Sequence, residues 1–216
     1  MSTNAVILAH GIWMPGSVMW FMKRHLESEC GFEGITFDYP SVQGTLDDNV
    51  ARLAEFVEEH GGGGVHLVGH SLGGVLSLRM LLLNPDAPVE RVVCLGSPLC
   101  GSRAAQFLHG HDWGRILLGN TITGAVVDEA AESWATPVTE RREVGVIAGS
   151  FRLGVSGVVL DYEGDHDGTV TVAETRLPGA KDHLVLPVNH TGMVLSRRVG
   201  DQTAAFLRRG EFLRDL

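Results

Sequence analysis

A chain of 216 residues, 44% apolar and 20% charged, has the composition of a soluble globular protein and enough length for one domain, residues 1–216, with a sizeable core. Its net charge of −9, with no run of like charge, argues against a nucleic-acid partner, because phosphate binding needs clustered Lys and Arg. No apolar run approaches the ~18 residues of a membrane-spanning helix, and Met1-Ser2-Thr3-Asn4 lacks the basic start and long apolar stretch of a secretory signal.

Cys30, Cys94 and Cys100 are an odd set with no metal-ligand spacing. They predict reduced thiols and a cytoplasmic protein, with Cys94 a small buried hydrophobe in an apolar strand.

Taken in chain order, Ala5 to Ala9 is an apolar run without alternation, the pattern of a strand covered on both faces. It ends in the loop His10-Gly11-Ile12-Trp13. Ser17 is placed to cap a helix to about Glu29, with Val18, Phe21, Met22, His25 and Leu26 at helical spacing. Gly34 to Tyr39 reads as the second strand, stopped by Pro40. Thr45 or Asp47 caps a second helix to about His60, which buries Val50, Leu53, Ala54, Phe56 and Val57 and ends at Gly61 to Gly64 in a left-handed cap.

The third strand, Val65-His66-Leu67-Val68, runs straight into Gly69-His70-Ser71-Leu72-Gly73-Gly74 and then into an apolar helix to about Leu83. Further strands follow at Val89 to Gly96, Glu143 to Gly149 and Leu184 to Val188, and a last helix at about Met193 to Arg209. Strands alternating with helices in this rhythm predict an α/β fold, a mostly parallel six-stranded sheet with helices on both faces. Residues 97–142 interrupt the alternation after the fourth strand. They read as an insertion of a helix or two and a segment over the site, a possible lid, whose apolar residues line a pocket or pack as an ordinary helix.

In a parallel sheet, ligands bind beyond the carboxyl ends of the strands. There the chain places His10-Gly11 after strand one, Ser71 after strand three, Asp167-Gly168 after strand five and His190 after strand six. Gly-x-Ser-x-Gly between a strand and a helix puts the serine on a tight turn that lifts its hydroxyl clear of the sheet. A serine hydroxyl is a weak nucleophile at neutral pH, so it needs a base, and the base needs a carboxylate to hold its tautomer. Ser71, Asp167 and His190 occur in the order this architecture uses.

Asp161 and Asp165 are alternative acids, although Asp165 lacks a following glycine. Among the histidines, His183 falls at the wrong end of the sheet, His109 and His111 lie in the insertion, and His70 points away from Ser71 as a structural residue. The backbone N–H groups of Leu72 and Ile12 are the natural oxyanion donors, with His10 pinning the Ile12 loop through a hydrogen bond. The sequence contains no His-Glu-x-x-His and no paired-cysteine motif, and Gly61 to Gly64 lacks the lysine of a phosphate-binding loop.

Ala9-His10-Gly11-Ile12-Trp13, Gly69 to Gly74, Gly96-Ser97-Pro98, Asp167-Gly168-Thr169-Val170 and Asn189-His190-Thr191-Gly192 together resemble the α/β-hydrolase superfamily. The set is similar above all to its compact bacterial lipase/esterase-like members, relatives of the class 2 lipases and of the PGAP-like esterases. The resemblance implies Ser71 as nucleophile, His190 as base and acid, Asp167 as orienting carboxylate, and Ile12 and Leu72 as the oxyanion hole. It further implies hydrolysis of small-molecule carboxylic esters through an acyl-enzyme, with no cofactor and no metal. The short chain and modest insertion favour short-to-medium acyl substrates over interface-activated lipolysis. The same triad would serve a thioesterase or an acyltransferase, and a binding module that kept the fold without the chemistry is the reading from outside enzymes.

Overall fold

The computed structural model describes residues 4–102, 130–152 and 164–214. Its strands are β1 (Ala5–Ala9), β2 (Glu33–Phe37), β3 (Val65–His70), β4 (Val89–Leu95), β5 (Glu143–Gly149) and β6 (Asp182–Leu186). All pair in parallel in the order β2-β1-β3-β4-β5-β6. The sheet is the expected α/β one, and its order reverses between β1 and β3. A crevice opens at that reversal, because the connections from the two strands leave in opposite directions.

The apolar runs explain the layering. In β1, Ile7 and Ala9 face one core and Val6 and Leu8 the other. The first core packs against α2 (Leu46–His60), α3 (Leu72–Leu83) and α4 (Thr136–Arg141) through residues such as Val50, Leu53, Val57, Leu76 and Val138. The second packs against α1 (Trp20–Ser28) and α5 (Arg197–Arg209) through Met22, Leu26, Val199 and Phe206. A strand buried on both faces has no polar side to alternate, so its sequence reads as one continuous apolar word.

Helix starts and strand ends depart from the sequence reading where local hydrogen bonds decide them. Ser17 does not cap α1; a 3-10 turn over Gly16–Met19 leads into it. Thr45 is the cap of α2, its hydroxyl accepting from the Asp48 N–H at 3.1 Å. Gly61 ends α2 with φ −87°, so the left-handed residue is Gly64, with φ +86°. A side chain at Gly61 would meet the Val57 carbonyl at 2.4 Å and Pro88 at 2.5 Å, which is why glycine stands there.

The last strand lies two residues earlier than Leu184 to Val188. Its register pairs Gly145 with Asp182 and Gly149 with Leu186, and Pro187 has no N–H to continue the ladder. The last helix is preceded by a 3-10 turn, Thr191–Leu195, and is capped by Ser196. Of the insertion, the described part holds a 3-10 turn at Ala131–Ser133 and α4; residues 103–129 lie outside the described residues, as do His109, His111 and Asp161.

Candidate active site

β3 delivers Ser71 into a backbone conformation of φ 54°, ψ −119°, which an L side chain rarely adopts. Close approach enforces the turn. A Cβ on Gly69 would lie 2.4 Å from the Gly73 backbone, and one on Gly73 would lie 2.4 Å from the Ala9 carbonyl oxygen. Ser71 N–H donates to the Leu95 carbonyl at 2.8 Å, tying the turn to β4. Ser71 is the N-cap of α3, and a helix N-terminus favours negative charge nearby.

The loop after β1 folds back onto this turn. A Cβ on Gly11 would stand 3.0 Å from Ser71 Cβ, so a larger residue would crowd the two together. His10 pins it from beneath. Its Nδ1 donates to the Gly11 carbonyl at 2.7 Å, and its Nε2 accepts from the Tyr39 N–H at 3.2 Å. The Tyr39 hydroxyl donates to the His10 carbonyl at 2.8 Å, and the two rings stack with centroids 4.4 Å apart. Burial raises the Tyr39 pKa, so its hydroxyl keeps the proton it donates. Ile12, next in the chain, packs partly buried against the α2–α3 core, and Trp13 takes a left-handed φ of 59° while remaining half exposed.

Asp167 and His190 come together from the loops on either side of β6. His190 Nδ1 donates to Asp167 Oδ2 at 2.7 Å, and His190 N–H donates to the Asp167 carbonyl at 2.9 Å. Asp167 is fully buried, and its Oδ1 accepts from the N–H groups of Thr169 at 2.8 Å and Val170 at 2.7 Å. Two strand-end glycines make its niche: a Cβ on Gly96 would lie 3.1 Å from Oδ2, and one on Gly149 would lie 2.7 Å from Asp167 Cβ. Asp165, by contrast, is largely exposed and lies 3.9 Å from Arg152. His183 hydrogen-bonds Thr175 at 2.9 Å near the amino end of β6, away from these loops.

His70, expected to be structural, is fully buried. Its partner is His190: Nε2 donates to the His190 carbonyl at 2.9 Å, and the two rings lie 4.8 Å apart. Sequence reasoning missed this bond and also the two N–H donors to Asp167. The second pair had a signal, since an Asp before glycine commonly accepts from N–H groups two and three residues on.

One cluster elsewhere has ligand chemistry. His25, Cys30 and Asp201 lie between α1 and α5 with donor atoms within 4.8 Å of one another. His25 Nε2 is already bonded to Asp201 Oδ1 at 2.8 Å, and Arg208 donates to the Cys30 carbonyl, so a cation would have to break one pair and sit near a guanidinium. Among the described residues, no helix is long and apolar enough to cross a membrane.

Solved structures share this architecture. The mature lipase BlEst2 of Bacillus licheniformis superposes with a TM-score of 0.74 at 22% identity, over 98% of this chain and 93% of that one. The lin2722 product of Listeria innocua gives 0.63 at 19%, over 99% and 96%. An esterase of Thermogutta terrifontis gives 0.61 at 15%, over 97% and 91%. At these identities the likeness is one of fold. No curated protein sequence matches the chain. The model of the alpha/beta hydrolase family matches residues 6–197, most of the chain, and the chain belongs to that family.

Proposed function

We propose that the protein is a serine hydrolase that cleaves small-molecule carboxylic esters through an acyl-enzyme, using Ser71, His190 and Asp167. The observation that carries this reading is the 2.7 Å bond from His190 Nδ1 to a fully buried Asp167, in a chain that also holds Ser71 at φ 54°. With the Nδ1 proton committed to Asp167, the free lone pair of His190 is on Nε2, the atom that must take the hydroxyl proton.

In the first half-reaction Ser71 Oγ bonds to the ester carbonyl carbon as its proton passes to His190 Nε2. The carbonyl oxygen becomes an anion facing the N–H groups of Leu72 and Ile12. Collapse of this intermediate breaks the bond to the alkoxide, which takes the proton from Nε2 and leaves as alcohol. Water then repeats the sequence on the acyl-enzyme and releases the acid. Each oxyanion donor of this kind contributes about 3 kcal/mol at the transition state.

The expectation of short-to-medium acyl chains belongs to the same reading, as does a cytoplasmic location, supported by three free thiols of which Cys30 and Cys94 are buried. The test is hydrolysis of p-nitrophenyl butyrate together with labelling by a fluorophosphonate. Ser71→Ala should abolish both; retained turnover would mean another nucleophile, and an unlabelled wild type would mean a fold without the chemistry. Faster turnover of butyryl-coenzyme A than of the ester would make the protein a thioesterase.

A further inference from the structure

Beside Ser71, Asp167 and His190 stands a buried ionisable group, His70, that the triad leaves without a role. His70 is fully buried, and its ring is held by a single hydrogen bond, Nε2 to the His190 carbonyl at 2.9 Å across 120 residues of sequence. A carbonyl oxygen only accepts, so Nε2 carries the proton and Nδ1 bears the lone pair. That Nδ1 is buried with no hydrogen-bond partner, facing Gly11, where a Cβ would come within 3.2 Å. An unpaired polar atom in the interior is unfavourable by about 1–3 kcal/mol, and an apolar side chain of similar volume would avoid that penalty. The bond from Nε2 is what an apolar side chain would lack.

The His190 carbonyl is not otherwise occupied by the turn it begins: Met193 N–H goes to the Asn189 carbonyl instead. The base therefore hangs from three points. Its N–H is held by the Asp167 carbonyl, its ring Nδ1 by the Asp167 side chain and its carbonyl by His70. The first two come from the same residue and would allow His190 and Asp167 to move together. The third ties the pair to the elbow itself, because His70 immediately precedes Ser71.

We propose that His70 is a positioning residue for the reaction: its Nε2–H fixes the main chain of His190 relative to the Ser71 turn, so that base and nucleophile keep one separation. This rests on the triad reading given above. Burial, reinforced by the neighbouring His190, pushes the His70 pKa down to about 3, so the ring remains a neutral donor across the working range and never competes for the proton in transit.

Gln and Met have the same length, but only Gln can place an N–H near the position of Nε2, so the pair separates donation from space filling. His70→Met should lower kcat for p-nitrophenyl butyrate by about 10- to 100-fold, the range for a base displaced by a fraction of an ångström to 1 Å. Its KM should be nearly unchanged, and the rate of fluorophosphonate labelling should fall in parallel. His70→Gln should restore kcat to within a few-fold of wild type. Equal losses in the two variants, or no loss in His70→Met, would overturn the proposal.

Should His70→Met fail to fold, nitrogen NMR of the wild-type imidazoles decides. The Nε2–H tautomer at His70 is required, and an Nδ1–H tautomer would overturn the proposal, as would a large kcat loss in folded His70→Gln. Ser71→Ala and His190→Ala measured alongside distinguish the two claims. If they remain active the triad reading falls, whereas if they are inactive and His70→Met is not, only the role of His70 falls.

Discussion

Asp167→Asn tests the tautomer argument with a change of one atom. Oδ1 accepts two main-chain N–H bonds, from Thr169 and Val170, so an asparagine must keep its carbonyl oxygen there or face both donors with its own NH₂ group. The NH₂ group then occupies the position of Oδ2, 2.7 Å from His190 Nδ1. Two donors cannot share that bond, so Nδ1 must give up its proton and accept. The imidazole proton moves to Nε2, the atom that has to receive the proton of Ser71.

An enzyme whose base holds the wrong tautomer but is otherwise intact loses about 10⁴-fold in rate, equivalent to about 5.4 kcal/mol. We expect that loss in kcat for p-nitrophenyl butyrate with little change in KM, and a folded protein by circular dichroism. Asp165→Asn, at an exposed carboxylate beside Arg152, should stay within about twofold of wild type, since exposed ion pairs contribute little. A loss below tenfold in Asp167→Asn, or equal losses in the two variants, would refute the assignment of the acid.

Ser71→Gly removes both the hydroxyl and the side chain that makes φ 54° unfavourable; after the entropy of an added glycine, a net gain of about 1 kcal/mol should raise Tm by roughly 2–4 °C while activity vanishes, and an unchanged or lower Tm would show a relaxed turn. Gly73→Ala drives a Cβ to within 2.4 Å of the Ala9 carbonyl; it should destabilise the protein by about 1–3 kcal/mol in urea unfolding and reduce activity, and a neutral variant would refute the tight fit of the turn. His70, near 6.5 when unfolded and about 3 when folded, is protonated more readily by the unfolded chain. Its contribution is therefore complete above pH ~6.5 and shrinks by on the order of 1 kcal/mol per pH unit on acidification toward 3. Urea unfolding between pH 7 and 5 should show a steeper loss for the wild type than for His70→Gln, and parallel slopes would contradict the depressed pKa.

The sheet was legible because strands covered on both faces carry unbroken apolar runs, as at Val6 to Ala9 and Val65 to Val68, and glycine and proline punctuate them. Ser71, Asp167 and His190 were legible as candidates, since each sits in a turn with small neighbours beyond the end of a strand. Gly168, with φ +97°, is what separates Asp167 from Asp165: it lets the turn curl so that Thr169 and Val170 reach back to the carboxylate. The ends of elements were less visible. The start of β6 is set by its ladder to β5, and the end of α2 by the packing of Gly61 on Pro88, and both are tertiary facts. The bond from His70 to residue 190 joins positions too distant for any spacing to encode, and alternation along β3 says only that the ring and the hydroxyl leave on different sides.

The strand order has a consequence for how the molecule comes alive. β6 is the last strand in the chain and an outer strand of the sheet, and the loops before and after it bring Asp167 and His190. A refolding molecule that has zipped β1 through β5 already owns the elbow and the loop beside it, yet under the proposed triad it remains inert until that final strand docks. Recovery of turnover after dilution from denaturant should therefore report the seating of the carboxy-terminal quarter, and should lag behind the early gain of helix and sheet signal.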